Sequence, residues 1–167
     1  RVRKAFITQS QQKSVLMSAD YSQIELRVLA HFTKDNNLLK SFKNGIDIHA
    51  STASKIYKIP IENISQEMRR IAKIMNFGVL YGLSPYGISQ QTGLTPQQGQ
   101  KFIEAYFGSF PKITEYLEYT KSQAKTNGFV ETLLGRRRYI PEINSANFQI
   151  RSSGERMAVN MPIQGTS

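Results

Sequence analysis

The chain has 167 residues, 40% hydrophobic and 20% charged, enough apolar material for one domain or two small lobes and too much for a disordered polar chain. Lys and Arg number 22 against 12 Asp and Glu, and this charge of +10 points to a polyanionic partner, nucleic acid first and an acidic membrane second. The absence of cysteine excludes disulfides and thiolate zinc sites, and no apolar run approaches the roughly 20 residues of a membrane span.

No signal peptide is visible, because polar residues 9–13 follow basic residues 1–4, and an intracellular protein is expected. Both ends lack an exposed polar tail, so the chain is expected to be a piece of a longer protein.

In chain order, residues 14–19 have strand length and lead into Asp20. Ser22-Gln-Ile-Glu25 has the S-x-x-E spacing of a capping box, which predicts a helix to about Phe32. Helices are expected over 35–43 and 47–57, the second introduced by Asp47, before Pro60 breaks the pattern. Ser65 caps a helix to about Tyr81, with Gly82 placed to stop it. Thr95-Pro-Gln-Gln98 joins an N-cap, a proline at the first helical position and a capping-box glutamine. Pro111 separates that helix from another ending at Asn127-Gly128. Residues 129–140 read as a hairpin turning at Gly135, and Asn147 opens a last helix to about Asn160. The fold class is helix-rich α+β, with a few strands near both ends and a helical insertion between them.

The helix after Ser65 carries most of the chemical information. At 100° per residue, Met68, Ile71, Ala72, Met75 and Val79 fall within about 100° of one another, a packing face. Arg69, Lys73, Phe77 and Tyr81 are four apart and form one row on the opposite side. No acid occurs between Glu67 and Glu104 to neutralise that row. It suits a nucleotide laid along the helix, with phosphates on the cations and sugar or base on the aromatics. A basic surface helix with two aromatics tucked under a loop fits the spacing equally well.

Asp20 follows directly on the expected strand, where its carboxylate and the carbonyl of Tyr21 could ligate Mg²⁺; a turn or helix cap is the plainer reading. His31 and His49 lack metal-ligand spacing; His31 is expected to be packed, and His49, near a helix start, could meet a phosphate. Arg136-Arg-Arg138 beside Tyr139 is either a phosphate-contact patch or a solvated turn.

Several stretches resemble the family-A DNA polymerases, in the same order and over nearly the whole chain, and are closest to the bacterial DNA polymerase I type. Asp20-Tyr-Ser-Gln-Ile-Glu-Leu-Arg27 resembles their first polymerase motif. Arg69-Arg-Ile-Ala-Lys73-Ile-Met-Asn-Phe77-Gly-Val-Leu-Tyr81-Gly82 resembles their second. Glu155-Arg-Met-Ala-Val-Asn-Met-Pro-Ile-Gln164-Gly-Thr is similar to the helix that meets the primer-template minor groove. Asp47-Ile-His49 and Thr132-Leu-Leu-Gly-Arg-Arg137 resemble further stretches of the same proteins.

The resemblance implies a role for each matching position. Asp20 and the carbonyl of Tyr21 would bind the catalytic Mg²⁺ ions. Arg69 and His49 would hold the outer phosphates of a dNTP, and Lys73 would approach the α-phosphate. Phe77 would pack on the sugar, and Tyr81 would stack near the template base. Glu25 would crowd the 2′ position, with Gln23 and Ile24 completing the pocket floor. Arg156, Asn160 and Gln164 would meet primer-template DNA.

The resemblance also implies a palm segment over 1–34, a fingers subdomain over 35–127 and a return to the palm over 128–167. The parent would be a monomeric, cytoplasmic, nucleoid-associated DNA-directed DNA polymerase of replication and repair. The third motif, which carries the second metal carboxylate, is expected beyond Ser167, so the segment alone is expected to be inactive. A single-subunit RNA polymerase shares the Asp, Arg and Lys logic, but Glu25 and the Phe77–Tyr81 stretch favour the DNA enzyme. A non-catalytic nucleic-acid-binding module explains the charge and not the ordered row.

Overall fold

Polar caps at one end and left-handed glycines at the other fix most element boundaries. A computed structural model describes residues 6–8 and 14–167, with the side chains of Val79 and Leu80 outside the described parts. Eight α-helices and one two-stranded sheet occur among the described residues. They are α1 (Ile24–Thr33), α2 (Asn36–Lys43), α3 (Ile48–Tyr57), α4 (Gln66–Leu80), α5 (Pro85–Thr92), α6 (Pro96–Ser109), α7 (Pro111–Asn127), β1 (Phe129–Glu131), β2 (Arg137–Tyr139) and α8 (Phe148–Gln164). The helix-rich α+β class is therefore observed.

Asp35 caps α2 by accepting from the amides of Asn37 and Leu38, and Asp47 caps α3 by accepting from His49 and Ala50. Ser65 Oγ accepts from the Met68 amide at 3.2 Å to open α4. Thr95 and Gln98 form the reciprocal capping box of α6, and Gly128, at φ 76°, closes α7. Each of these devices satisfies backbone groups that a helix end leaves unpaired.

Four expectations need correction. Residues 14–19 are not a strand: Val15, Leu16 and Met17 are exposed outside any regular element, and no strand pairs with them among the described residues. A short apolar run carries strand length but no information about a partner, and an unpaired strand leaves its backbone groups unsatisfied. The Ser22–Glu25 capping box does not form; Gln23 stands at the N-cap in a left-handed conformation with no side-chain cap. Glu25 is instead engaged by Tyr81, and the Ser22 carbonyl accepts from Arg27 Nε at 3.0 Å. His31 is exposed rather than packed. The last helix continues past Asn160 to Gln164 with Pro162 inside it, because Val159, Pro162 and Ile163 remain on its buried face. The bond that proline removes is outweighed by that burial.

One helix was not anticipated. In α5, Ser84 caps by accepting from the Gly87 amide at 3.1 Å, Pro85 takes the first turn, and Gly93 closes the end at φ 74°.

The larger core gathers Leu26 and Leu29 of α1, Leu38 of α2, Ile48 of α3, Met75 of α4, Ile88 of α5, Tyr106 of α6, Ile113 and Leu117 of α7, and Val159 and Ile163 of α8. A smaller one joins Ala124, Val130, Ile140, Ile143 and Ala158, seating the hairpin on α7 and α8. In the sheet Phe129 pairs with Tyr139 and Glu131 with Arg137, antiparallel, and the turn contains Gly135 at φ 80°.

Gly154 lets α8 approach the turn at Pro141–Asn144: a Cβ there would lie 2.7 Å from the Ile143 amide nitrogen and 2.9 Å from the Glu142 carbonyl carbon. Those atoms are backbone and have little room to move. Gly154→Ala should therefore destabilise the chain by about 1–3 kcal/mol, as overpacking typically does. Urea unfolding with an unchanged midpoint would show that the two elements can part at no cost.

Candidate functional site

The orientation of α4 about its own axis decides which side chains it offers. Ile71, Ala72, Met75 and Asn76 are buried, and Met68 is half-buried. Arg69, Lys73 and Tyr81 are exposed and Phe77 is half-buried, so the row faces away from the core as its spacing predicts. Val79, expected on the packing face, lies outside the described side chains. Lys73, Phe77 and Tyr81 line one concavity of about 310 Å³, completed by Arg70, Ile74, Gly78, Leu83 and Gln91.

At the amino-terminal end of this row, Arg69 pairs with Asp47, Nη2 to Oδ2 at 2.7 Å, with both side chains well exposed. Burial works against ionisation of Asp47, but the Arg69 guanidinium and the amides of Ala50 and His49 outweigh it and hold the carboxyl below its ordinary value. His49 is 3% exposed, and its ring centroid lies 5.9 Å from that of Phe77. Its Nδ1 meets Asn76 Nδ2 at 3.0 Å, and Thr52 Oγ1 donates to Asn76 Oδ1 at 3.1 Å. Burial lowers the His49 pKa to about 4; the carboxylate of Asp47 opposes the shift, and Arg69 and Lys73 add to it. The ring is thus neutral near pH 7.

At the other end, the Tyr81 hydroxyl donates to Glu25 Oε2 at 2.7 Å, joining α4 to α1. Burial raises the Tyr81 pKa and the hydrogen bond to Glu25 raises it further, while the nearby Gln164 side chain of α8 opposes them. Glu25 and Gln164, both sequence-predicted, therefore lie near the Tyr81 phenol. Gly82, at φ 63°, lies so close to α8 that a Cβ would stand 2.7 Å from Arg156 Cγ. The Leu83 amide donates to the Gly78 carbonyl at 2.7 Å, the six-residue closure of a helix ending on a left-handed glycine. Arg156 itself is exposed and donates from Nη1 to Ser152 Oγ at 2.9 Å. Asn160 Oδ1 is buried without a hydrogen-bond partner among the described residues.

The structure does not bring every predicted residue into one cluster. Asp20 and Tyr21 are exposed, bordering with Ala19 a shallow concavity of about 300 Å³. Among the described residues no three His, Cys, Asp or Glu side chains gather as metal ligands, so Asp20 offers one carboxylate and not a full oxygen cage. Gln23 lines a groove with Ser22, Arg27, Phe42 and Asp47, and Ile24 is half-buried at the start of α1. Arg136, Arg137 and Arg138 are exposed on the hairpin, where Arg137 donates to Glu131 at 2.6 Å and stacks over Phe129.

Asn76 and Thr52 are the site residues that sequence reasoning passed over. The available signal was an amide standing in the apolar stripe of α4, one turn after Ala72.

Residues 1–167 match DNA polymerase family A. The chain belongs to that family. It is 46% identical over its whole length to DNA polymerase I of Pseudomonas aeruginosa, of which it covers 18%, and 48% identical to the thermostable DNA polymerase I of Thermus aquaticus, of which it covers 20%. The chain thus spans about one fifth of the length of these relatives. A solved structure, the POL domain of Pol1 from M. smegmatis in complex with DNA primer-template and dNTP, superposes with a TM-score of 0.83 at 43% identity, over 88% of this chain and 26% of that one. The family-A resemblance of the motifs and the helix-rich fold agree with both findings.

The depressed pKa of His49 has a consequence for stability. The unfolded chain takes up a proton on this ring near its ordinary 6.5, the folded chain only near 4. Between those values the unfolded state binds more protons, so stability contributed at this site is present above pH 6.5 and lost as pH falls toward 4. Urea unfolding at stepped pH should show this loss, and His49→Gln should flatten that part of the profile. An equal slope in the variant would assign the effect to other groups.

Proposed function

We propose that this segment is the nucleotide-selecting part of a DNA-directed DNA polymerase, in which α4 holds an incoming dNTP and α8 and the hairpin meet primer-template DNA. The observation that carries the reading is the exposed row Arg69, Lys73, Phe77 and Tyr81, whose last member is tied to Glu25. Family membership and the primer-template and dNTP bound by the M. smegmatis relative support it.

In this reading residues 1–34 belong to a palm, 35–127 to fingers and 128–167 to the return into the palm. Arg69 and the neutral His49 contact the outer phosphates, and Lys73 neutralises charge growing at the α-phosphate. Phe77 packs on the sugar. Glu25, held by the Tyr81 hydroxyl, crowds the 2′ position and so favours deoxyribose. Gln23 and Ile24 floor the pocket, and Tyr81 stacks near the template base. Arg156, Asn160 and Gln164 approach the minor groove, where acceptors are similar across base pairs and contacts test shape more than sequence.

Asp20 and the carbonyl of Tyr21 are hard oxygen donors suited to Mg²⁺, and two such ions would supply activation of the primer 3′-hydroxyl and stabilisation of the departing pyrophosphate. One carboxylate does not fix two ions that demand near-octahedral geometry, so the site needs a further acidic ligand. The parent works as a cytoplasmic, nucleoid-associated monomer in replication and repair. No described helix is long and apolar enough to cross a membrane.

The test uses the longer polymerase that carries this segment. Lys73→Ala should lower kcat by roughly 10²-fold or more, the scale of losing one transition-state charge contact. Arg69→Ala should chiefly raise the dNTP KM. Equal, small effects on both constants would remove the nucleotide from the α4 row.

The 167-residue chain by itself should bind duplex DNA weakly and without sequence preference, because its basic surface remains while its metal ligand set is partial. Binding measured by fluorescence anisotropy should fall steeply with salt, as phosphate contacts release counterions. It should incorporate no labelled nucleotide. Robust primer extension would show that Asp20 alone suffices.

A further inference from the structure

We propose that Asn76 is a positioning residue for His49: through the buried chain Thr52–Asn76–His49 it fixes the neutral imidazole with its proton on Nε2, the nitrogen left to donate to an anion. Thr52 and Asn76 are fully buried and His49 almost so, and the two hydrogen bonds measure 3.1 and 3.0 Å. The order of donors and acceptors follows from the threonine. With the amide as observed, the Thr52 hydroxyl donates to Asn76 Oδ1, and Asn76 Nδ2 donates to a lone pair on His49 Nδ1.

Reversing the amide would place Nδ2 against Thr52 Oγ1 and Oδ1 against a protonated Nδ1. The hydroxyl proton would then need another acceptor, and among the described residues Thr52 Oγ1 has no hydrogen bond except that to Asn76. A fully buried donor without an acceptor is rare in folded proteins. The observed orientation gives the Thr52 hydroxyl an acceptor, and it forces the Nε2–H tautomer, since a neutral imidazole carries a single proton.

The charges around the ring agree with a neutral donor. Asp47, at the cap of the same helix, favours the imidazolium; Arg69 and Lys73, both from α4, disfavour it, and burial disfavours it too. Burial is the largest of these influences, and with two cations set against one carboxylate an imidazolium is costly. A neutral ring can still serve an anion if the nitrogen it presents bears hydrogen. The opposite tautomer would present a lone pair to phosphate oxygens and repel them. That His49 meets dNTP phosphate rests on the function proposed above; the tautomer does not.

Ring-¹⁵N histidine in the longer polymerase separates the two. The His49 signals, assigned by their loss in His49→Gln, should show a protonated Nε2 and an unprotonated Nδ1 at pH 7. Thr52→Ser should keep this pattern, and Thr52→Val, which frees the amide to turn, should yield a mixture of tautomers. Asn76→Asp should draw a proton to Nδ1 and make the dNTP KM vary by several-fold between pH 6 and 8, where the parent is flat. A protonated Nδ1 in the parent, or tautomers indifferent to Thr52→Val, would overturn the proposal, even if Asn76→Asp fails to fold. An Nε2–H signal together with an unchanged dNTP KM in His49→Ala would uphold the positioning role and sink the phosphate role of His49.

Discussion

The burial of one stripe of α4 is the constraint on which the site depends. Ile71, Ala72, Met75 and Asn76 are held in the interior, and this fixes the rotation of the helix. Residues four apart on the far side then have no choice of direction. Arg69, Lys73, Phe77 and Tyr81 form a usable surface because hydrophobic burial, which is non-directional in itself, is read through a rigid 3.6-residue period. The polar member of the stripe adds direction. Asn76 must find partners in the interior, and it finds them in Thr52 and His49 of α3. Helix α4 is thereby registered against α3 by hydrogen bonds as well as by packing.

Electrostatics at the two ends of the row differ in kind. At Arg69 the partner is a carboxylate that is itself exposed, and such pairs are worth about 0–1 kcal/mol. An anion with more charge than Asp47 can displace it. At Tyr81 the hydrogen-bond partner is Glu25 of α1, with Gln164 of α8 nearby, and the contact is part of how α1 and α4 meet. The end assigned to phosphates is loosely held, and the end assigned to the base and the 2′ position is framed by three elements.

Much of the fold was legible because the chain punctuates itself. Asp35, Asp47, Ser65, Thr95 and Gly128 all stand where local chemistry alone demands a helix boundary, and each does so in the structure. Ser84-Pro85 with Gly93 carried the same signature as Thr95-Pro96 and could have been read the same way. What the sequence could not give was the competition between local and distant partners. Ser22 and Glu25 have capping-box spacing, yet Glu25 bonds a tyrosine 56 positions away. Residues 14–19 have strand length, but pairing is a property of a second segment. The row on α4 was readable from its period, and its chemistry from the family motif; the support beneath it, Asn76 and Thr52, was not, because an amide on an apolar stripe announces a need for partners without naming them.

The adjacent residues Tyr81 and Gly82 touch different neighbours, α1 through a hydroxyl and α8 through bare backbone against Arg156. The carboxyl end of α4 thus meets neighbours on two sides, whereas Arg69, twelve residues from Tyr81, has the exposed carboxylate of Asp47 as its one side-chain hydrogen-bond partner among the described residues. Twelve residues of helix span about 18 Å. A tilt of about 10° about the carboxyl end would carry the guanidinium roughly 3 Å, about one hydrogen-bond length, and would have to take α3 along, because Asn76 is bonded to Thr52 and His49. Asp47 caps α3, so its pair with Arg69 would travel with the two helices.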